Sequence, residues 1–319
     1  MPSEFDLIRR HFTRPARHTE LAVGDDAALF TPAPGMQLAT STDMLVAGTH
    51  FFADADPEAL GWKALAVNVS DLAAMGAEPR WALLALALPA ADEAWIEAFA
   101  RGFFACAGQF GVDLAGGDTT RGPLNLCVTV IGEVPAGSAI TRAGARPGDD
   151  IWITGEPGRG ALGLAFLRGE TALDAAAVAP CLDALHRPQP RVAAGLALRG
   201  VADAMLDVSD GLVGDLAHIL EASGTGAVLE LAALPLGALL AAGADVEFAQ
   251  RCVLGGGDDY ELLFTAAAAQ REPLGALARR LDLPFTRIGT ITGDTGRLLL
   301  RHPDGSERPP AYRSYDHFA

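Results

Sequence analysis

Between Pro135 and Asp150 the chain reads PAGSAITRAGARPGDD. This stretch, rich in glycine, proline and alanine, constrains the fold more than any other feature. Turn-forming residues at that density interrupt both helix and strand patterns and mark a connection. With 319 residues the chain is long enough for two hydrophobic cores. The boundary is placed inside the stretch, giving an N-terminal domain over residues 1–136 and a C-terminal domain over residues 137–319.

Each side of the boundary carries mixed patterns. Met36 to Leu45 (MQLATSTDML) reads as a strand that ends in polar residues. A helix is predicted from Pro57, with Asp56 as its N-cap, the proline at the first helical position and Gly76 near its end. Arg80 to Pro89 alternates weakly and reads as a strand. Trp95, Ile96, Phe99, Phe103 and Phe104 fall close to helical spacing. Asn125 to Val134 (NLCVTVIGEV) is β-branched and strand-like. After the connection, DIWITG begins a second series of alternating strands and helices. The N-terminal MPSEFDLIRRHF reads as an amphipathic helix and not as a signal peptide. Strands and helices mixed in both halves predict an α/β (α+β) fold, not a bundle or a sandwich.

Charge narrows the function. There are 40 acids against 24 bases, a formal net charge of −16. A nucleic-acid surface needs clustered positive charge, so nucleic acid is excluded as a partner. The balance argues equally against an anionic membrane surface. No apolar run approaches the roughly 18 residues of a membrane span. Lys63 is the one lysine, so phosphate handling has to rest on arginine, backbone N–H groups or metal ions. Cys106, Cys127, Cys181 and Cys252 show no C-x-x-C spacing and read as buried thiols of a reducing compartment, hence a cytoplasmic protein.

The acids themselves recur in a pattern. They stand beside small residues in GDD (Asp25, Asp26), STDM (Asp43), VSD (Asp71), GGDTTRG (Asp118), DVSD (Asp207, Asp210) and GGGDDYEL (Asp258, Asp259). Apolar sequence flanks each one, which places each near a buried edge. Carboxylates gathered there repel one another and lose hydration. Mg²⁺ relieves both costs, because it takes oxygen ligands and is held by a few carboxylates together with substrate phosphates. GGDTTRG is then read as a glycine-rich loop whose aspartate meets phosphate through a metal while glycine N–H groups approach the anion. Any single motif of this kind is also compatible with a turn or a helix cap. Asp71 is the exception, since an acid inside a helical pattern has no capping role.

Other motifs lead elsewhere or nowhere. GRGALG (Gly158, Gly160, Gly163) follows a strand and fits a dinucleotide-binding turn. Pro157 in the turn, and Asp183 within a helical stretch, favour a plain strand-to-helix connection instead. There is no P-loop and no protein-kinase signature set. VSD and GGD each occur twice, with the second motif 47 residues after the first (71 to 118) and then 48 (210 to 258). A duplicated unit and chance recurrence both account for that echo.

Taken together, GDDAA, STDMLVAGTHF, KALAVNVSDLAAMGAEP, GGDTTRGP, TRAGARPGD, RPQPRV, DVSDGL, GGGDDYELLFT and the tail YDHF resemble the thiamine-monophosphate kinase family, within the superfamily of aminoimidazole ribonucleotide synthetase. The resemblance spans nearly the whole chain. It implies a two-domain aminoimidazole ribonucleotide synthetase-like fold. The N-terminal domain would bind ATP and Mg²⁺ and form a homodimer with ATP near the interface. The C-terminal domain would complete the nucleotide and substrate site. The implied reaction is phosphorylation of thiamine monophosphate by ATP, with several Mg²⁺ ions. Carried over by motif, the metal ligands are Asp26, Ser41, Thr42, Asp43, Asp71, Asp118, Asp207 and Asp210. Gly117, Asp118, Arg142 and Ser209 contact ATP. His50, Asp258 and Tyr315 face the thiamine phosphate, with Tyr312 the alternative aromatic. The family usually has glutamate where Asp258 stands, so this contact keeps its charge and loses reach.

The implied chemistry needs no catalytic side chain. A phosphate monoester has a second pKa near 6 and is largely dianionic at neutral pH, so no general base is expected. Another ATP-using enzyme of the superfamily and a non-catalytic cation- or nucleotide-binding protein are the competing readings. A selenophosphate synthetase would want a reactive cysteine and a lysine near the N-terminus, whereas here the first of each is Cys106 and Lys63.

Overall fold

The computed structural model describes residues 4–311. The chain forms two compact units: Met1–Ala73 with Ala77–Ala139, and Ala74–Gly76 with Ile140–Ala319.

The first unit opens with a short helix, α1 (Glu4–Leu7), that widens into a π-type turn at Ile8–Phe12 and buries His11 and Phe12. Its sheet has the order β1-β4-β2-β3, built from β1 (Met36–Val46), β2 (Glu78–Leu88), β3 (Asp113–Arg121) and β4 (Asn125–Pro135). Neighbours are antiparallel except β2 and β3, which run parallel because a helix joins them. That helix is α3 (Glu93–Phe110), capped by the Asp92 carboxylate and ended by Gly111 at φ 70°. Helix α2 (Pro57–Ala74) connects β1 to β2. Asp56 accepts the N–H of Ala59 at 3.0 Å, and Gly76 lies at φ 64°, as the sequence predicts.

Helix α2 is buried on every side from Leu60 to Ser70. It meets α3 backbone to backbone. A Cβ at Gly102 would lie 1.7 Å from the Glu58 carbonyl oxygen, and one at Gly61 would lie 2.0 Å from that of Phe99. Along β2 the side chains of Leu84, Leu86 and Leu88 are buried while Ala85 is exposed. One face of the sheet is therefore covered and the other open. Met36, Leu38 and Met44 of β1 are exposed on the open side.

The segment GGDTTRG is the body of β3, not a loop. Gly116 to Arg121 pair in parallel with Leu83 to Leu88. Glycine serves here for close approach: Gly117 has φ 152°, and a Cβ there would lie 1.8 Å from the Leu84 carbonyl oxygen. Asp43 is within strand β1, as the sequence predicts. Of the motif acids, Asp25, Asp26, Asp210, Asp258 and Asp259 lie outside the helices and named strands, Asp43, Asp118 and Asp207 lie in strands, and Asp71 lies in α2.

The second unit is built on a seven-stranded sheet among the described residues, ordered β11-β10-β7-β9-β5-β8-β6. Its strands are β5 (Asp150–Thr154), β6 (Ala204–Asp207), β7 (Gly226–Glu230), β8 (Leu262–Ala266), β9 (Phe285–Thr292), β10 (Leu298–Arg301) and β11 (Glu307–Arg308). All neighbours but β7 and β10 are antiparallel. The helices are α4 (Arg159–Leu167), α5 (Ala175–His186), α6 (Val192–Leu198), α7 (Leu212–Ser223), α8 (Gly237–Ala241), α9 (Val246–Gly255) and α10 (Arg271–Leu281). Strands β5, β6 and β8 are buried along their whole length, the mark of a sheet covered on both faces. Ile151, Ile153, Leu162, Val178, Leu216 and Leu263 are among the residues of this core. The mixed α/β architecture is the expected one, and the antiparallel pairing puts it on its α+β side.

The two halves of the sequence echo fold differently. The first VSD lies within α2 and the second follows β6. The first GGD lies within β3 and the second in the turn between α9 and β8. Chance recurrence accounts for the repeat, and a duplicated unit does not.

Candidate functional site

In the first unit the acid-rich group forms where β1 meets α2. Ser41 and Asp43 are two apart on a strand and share a face, while Asn68 and Asp71 are three apart on a helix and share a face. The Ser41 hydroxyl donates to Asp71 Oδ2 at 2.6 Å. The Asp43 N–H donates to Asn68 Oδ1 at 2.9 Å, and Asn68 Nδ2 donates to the Ala64 carbonyl at 3.0 Å. Asn68 is fully buried. Its amide satisfies an N–H on an edge strand and fixes the helix in register with it. Two carboxylates and a hydroxyl are thereby gathered at one corner.

The remaining residues named for this unit are elsewhere. Thr42 points to the open face, where its hydroxyl lies 2.8 Å from that of Thr129. Asp118 is paired with Ala85, which is paired with Cys127, so it too belongs to the open face. Asp43 is on the covered face with Val128, Leu84 and Gly117 in the same cross-strand row. At ordinary strand spacing, three steps separate Asp43 from Gly117 by about 14 Å. Asp26 is exposed in a turn, its N–H bonded to the Asp25 carboxylate. His50 follows β1 and accepts the Val46 N–H at Nδ1 (3.0 Å), which leaves Nε2 to carry the proton of the neutral ring.

In the second unit, two turns lock together. Asp207 ends β6 and is buried. Just beyond it, the N–H groups of Ser209 and Asp210 both donate to Asp215 Oδ2 at 3.1 Å. Asp215 sits in the first turn of α7 and is buried, and this burial raises its pKa to about 7. The Asp258 N–H donates to the Ser209 carbonyl, and the Tyr260 N–H to that of Val208 (2.9 and 2.8 Å). Arg142 lies on an exposed loop where its carbonyl accepts the Ser223 hydroxyl. Tyr312 and Tyr315 lie outside the described residues.

Behind these turns is an ion pair. Glu261 is buried and takes two bonds from Arg191, at 2.7 and 2.5 Å, with a third from the Thr154 hydroxyl at 2.6 Å. Asp259 accepts the Gly158 N–H with both oxygens, at 2.7 and 2.8 Å, and burial holds its pKa well above the ordinary carboxylate value. That bond settles the GRGALG turn. The N-terminus of α4 already carries a carboxylate of the protein itself, and β5 pairs only with antiparallel neighbours. It is a strand-to-helix connection and not a dinucleotide site.

Asn68, Arg191, Asp215, Tyr260 and Glu261 were not singled out in the sequence. Two signals were available. Asn68 precedes Asp71 by one helical turn, and Glu261 stands in an apolar stretch where a buried acid requires a partner. Neither signal identifies that partner.

Among the described residues, no three His, Cys, Asp or Glu side chains form a ready-made metal cluster. The donors at the β1–α2 corner are nevertheless all hard oxygens. Two carboxylates and a hydroxyl suit Mg²⁺, which retains waters and takes further ligands from phosphate. The residues present fit that ion.

The two units are those of a known class. Residues 24–134 match the family described as AIR synthase related protein, N-terminal domain, and residues 146–300 match AIR synthase related protein, C-terminal domain. Within that class the resemblance is closer still. The thiamine-monophosphate kinase of Escherichia coli K12 is 47% identical over 321 aligned residues, covering 99% of this chain and 98% of that one. The crystal structure of the Stenotrophomonas maltophilia K279a thiamine-monophosphate kinase superimposes with a TM-score of 0.83 at 47% identity, over 91% of this chain and 92% of that one. A structure of AaThiL complexed with AMPPCP and TMP aligns with a TM-score of 0.77 at 30% identity, over 93% and 92% of the two chains. This chain belongs to the thiamine-monophosphate kinase family.

Proposed function

We propose that this protein transfers the terminal phosphoryl group of ATP to thiamine monophosphate, giving thiamine diphosphate and ADP. The observation that carries the reading is 47% identity to a thiamine-monophosphate kinase along 99% of the chain. A relative that holds AMPPCP and TMP together supports ATP as co-substrate.

Asp43, Asp71 and Ser41 are the residues best placed to hold Mg²⁺, with Asp26, Thr42, Asp118, Asp207 and Asp210 assigned through the family. When bound, the ions would offset the charge of two mutually repelling phosphate groups. The acceptor is already a dianion at neutral pH and supplies its own nucleophile, so the chain has no proton to remove. Its task is orientation, which by itself removes a large part of such a barrier. Gly117, Asp118, Arg142 and Ser209 are assigned to ATP, and His50, Asp258 and Tyr315 to the acceptor. Asp215 serves the first group by fixing the backbone of Ser209 and Asp210, and His50 is held by its bond from Val46.

A homodimer belongs to the same proposal. The open face of the first unit's sheet exposes Leu38 at 45% and Met44 at 53%, and a second copy meeting it face to face would bury them. Asp118 would then stand at the interface. A cytoplasmic location is also proposed: the four cysteines are free thiols, three of them buried, which suits a reducing compartment. Among the described residues no helix is long and apolar enough to cross a membrane.

The deciding experiment incubates the purified protein with ATP, Mg²⁺ and thiamine monophosphate and separates the products by chromatography. Thiamine diphosphate and ADP in equal amounts are expected. ATP binding with no thiamine diphosphate would overturn the reading in favour of a non-catalytic nucleotide binder.

A further inference from the structure

Two contacts join α2 to the first unit's sheet, and they differ in kind. Among the described residues β1 is the edge strand of that sheet, so alternate N–H groups along it point away from β4. The Asp43 N–H is one of these and meets Asn68 Oδ1 at 2.9 Å. The second contact is the Ser41 hydroxyl on Asp71 Oδ2 at 2.6 Å. The two run in opposite chain directions: 41 to 43 on the strand matches 71 to 68 on the helix. Two strand residues advance about 6.6 Å, and three helix residues about 4.5 Å. Contacts at two such points fix the slide of the helix along the strand and its tilt against it.

Asn68 is a costly choice at its position. Ala64, Leu65, Ala66 and Val69 around it are fully buried, and so is Asn68 itself. An amide there is unfavourable unless both of its ends are bonded, and asparagine is a poorer helix former than alanine or leucine. Both ends are bonded, Oδ1 to the Asp43 N–H and Nδ2 to the Ala64 carbonyl one turn back. The bond to Ala64 locks the amide's orientation, so that its oxygen faces β1. Ser41 and Asp71 are themselves assigned to Mg²⁺, and an ion bound there competes with their mutual bond. The Asn68 contact reaches the backbone of Asp43 and involves no ligand atom, so it survives metal binding.

We propose that Asn68 is a positioning residue for the metal site. Its amide holds β1 and α2 in the register that brings Ser41, Asp43 and Asp71 together, and thereby sets affinity for the divalent ion. This rests on the assignment of Asp43 and Asp71 to Mg²⁺. Mn²⁺ takes the same oxygen ligands. It is titrated into the full-length protein while the electron paramagnetic resonance signal of unbound Mn²⁺ is followed, with no turnover involved. Asp71→Asn identifies the binding step that belongs to this corner, as the step it weakens. Asn68→Leu keeps the volume and removes both bonds, so the dissociation constant of that step is expected to rise about tenfold. Asn68→Asp keeps an oxygen for the Asp43 N–H and adds a group of the sign that attracts cations. It should bind Mn²⁺ at least as tightly as the parent. Asn68→Ser is too short to reach β1; it should weaken the step as the leucine variant does, and it replaces that variant if leucine prevents folding.

Parent-like Mn²⁺ affinity in Asn68→Leu, or in its serine replacement, beside an impaired Asp71→Asn, would overturn the inference while leaving the metal assignment intact. An Asn68→Asp variant weakened as much as Asn68→Leu would also overturn it, because a loss common to both reports disturbed packing and not a missing acceptor. An Asp71→Asn variant that binds Mn²⁺ as the parent does would remove the metal assignment of the corner and the inference with it.

Discussion

Replacing Arg191 by methionine tests the physical frame behind the Asp258 turn. The Glu261 side chain is 6% exposed. It receives two bonds from Arg191 and one from Thr154, with the Glu156 N–H a long 3.4 Å away. Without the guanidinium, a buried charge is left on one hydroxyl. Removing one partner of a buried pair costs about 3–5 kcal/mol. The Arg191 side chain is 27% exposed, so water reaches part of the pair and the lower end, about 3 kcal/mol, applies. For a unit of this size, each kcal/mol moves the melting temperature by about 2–4 °C, giving a fall of about 6–12 °C. Scanning calorimetry of the full chain reads this directly. The double variant Arg191→Met with Glu261→Gln should recover part of the loss, because the stranded charge is gone. A fall below about 2 °C, or a double variant as unstable as the sum of the singles, would show that Glu261 does not depend on Arg191.

Three further outcomes follow from the described geometry. Asp43→Asn should lower turnover on the order of 100-fold with little change in melting temperature; near-parent turnover at limiting Mg²⁺ would rule out a metal role for that carboxylate. Gly117→Ala places a methyl group against the Leu84 carbonyl at φ 152°, so a loss of roughly 1–3 kcal/mol is expected in urea unfolding, and unaltered stability would contradict the close approach. Asp259 has a folded pKa raised well above 3.8 by burial, so the native state binds more protons than the unfolded chain above that value. Stability from this group is therefore present at acid pH and lost as pH rises through the raised value. Asp259→Asn should flatten the decline in melting temperature as pH rises above the ordinary aspartate value of 3.8, and parallel curves for parent and variant would refute the assignment.

Much of the architecture was legible because local chemistry agrees with it. Asp56, Pro57 and Gly76 frame α2, and the aromatic spacing of Trp95 to Phe104 marks α3. The acids were legible as a group but not as positions. GGDTTRG has the composition of a loop, yet pairing with β2 makes it a strand, and no local rule overrides a partner supplied from 33 residues away (Leu83 to Gly116). The faces of the sheet were hidden for the same reason. Asp43 and Asp118 belong to similar motifs, but which side of a strand each occupies depends on register. Arg191 and Glu261 are 70 residues apart, and only the assembled fold joins them.

Asp26 is held from two sides of the first unit. Asp113 gathers the N–H groups of Arg17 and His18 and the Thr19 hydroxyl. Further on, the Phe30 ring stacks on Trp81 at 4.4 Å, and the Ala33 N–H bonds Glu133 at 2.6 Å. The span from 20 to 29 is thus moored at both ends. Leu21 and Leu29 also bridge across it, so Asp26 stands in a closed loop of the seven residues between them, 22 to 28. Cleavage at the tip of that loop would free the carboxylate to wander while leaving both moorings, and the sheet beneath them, intact.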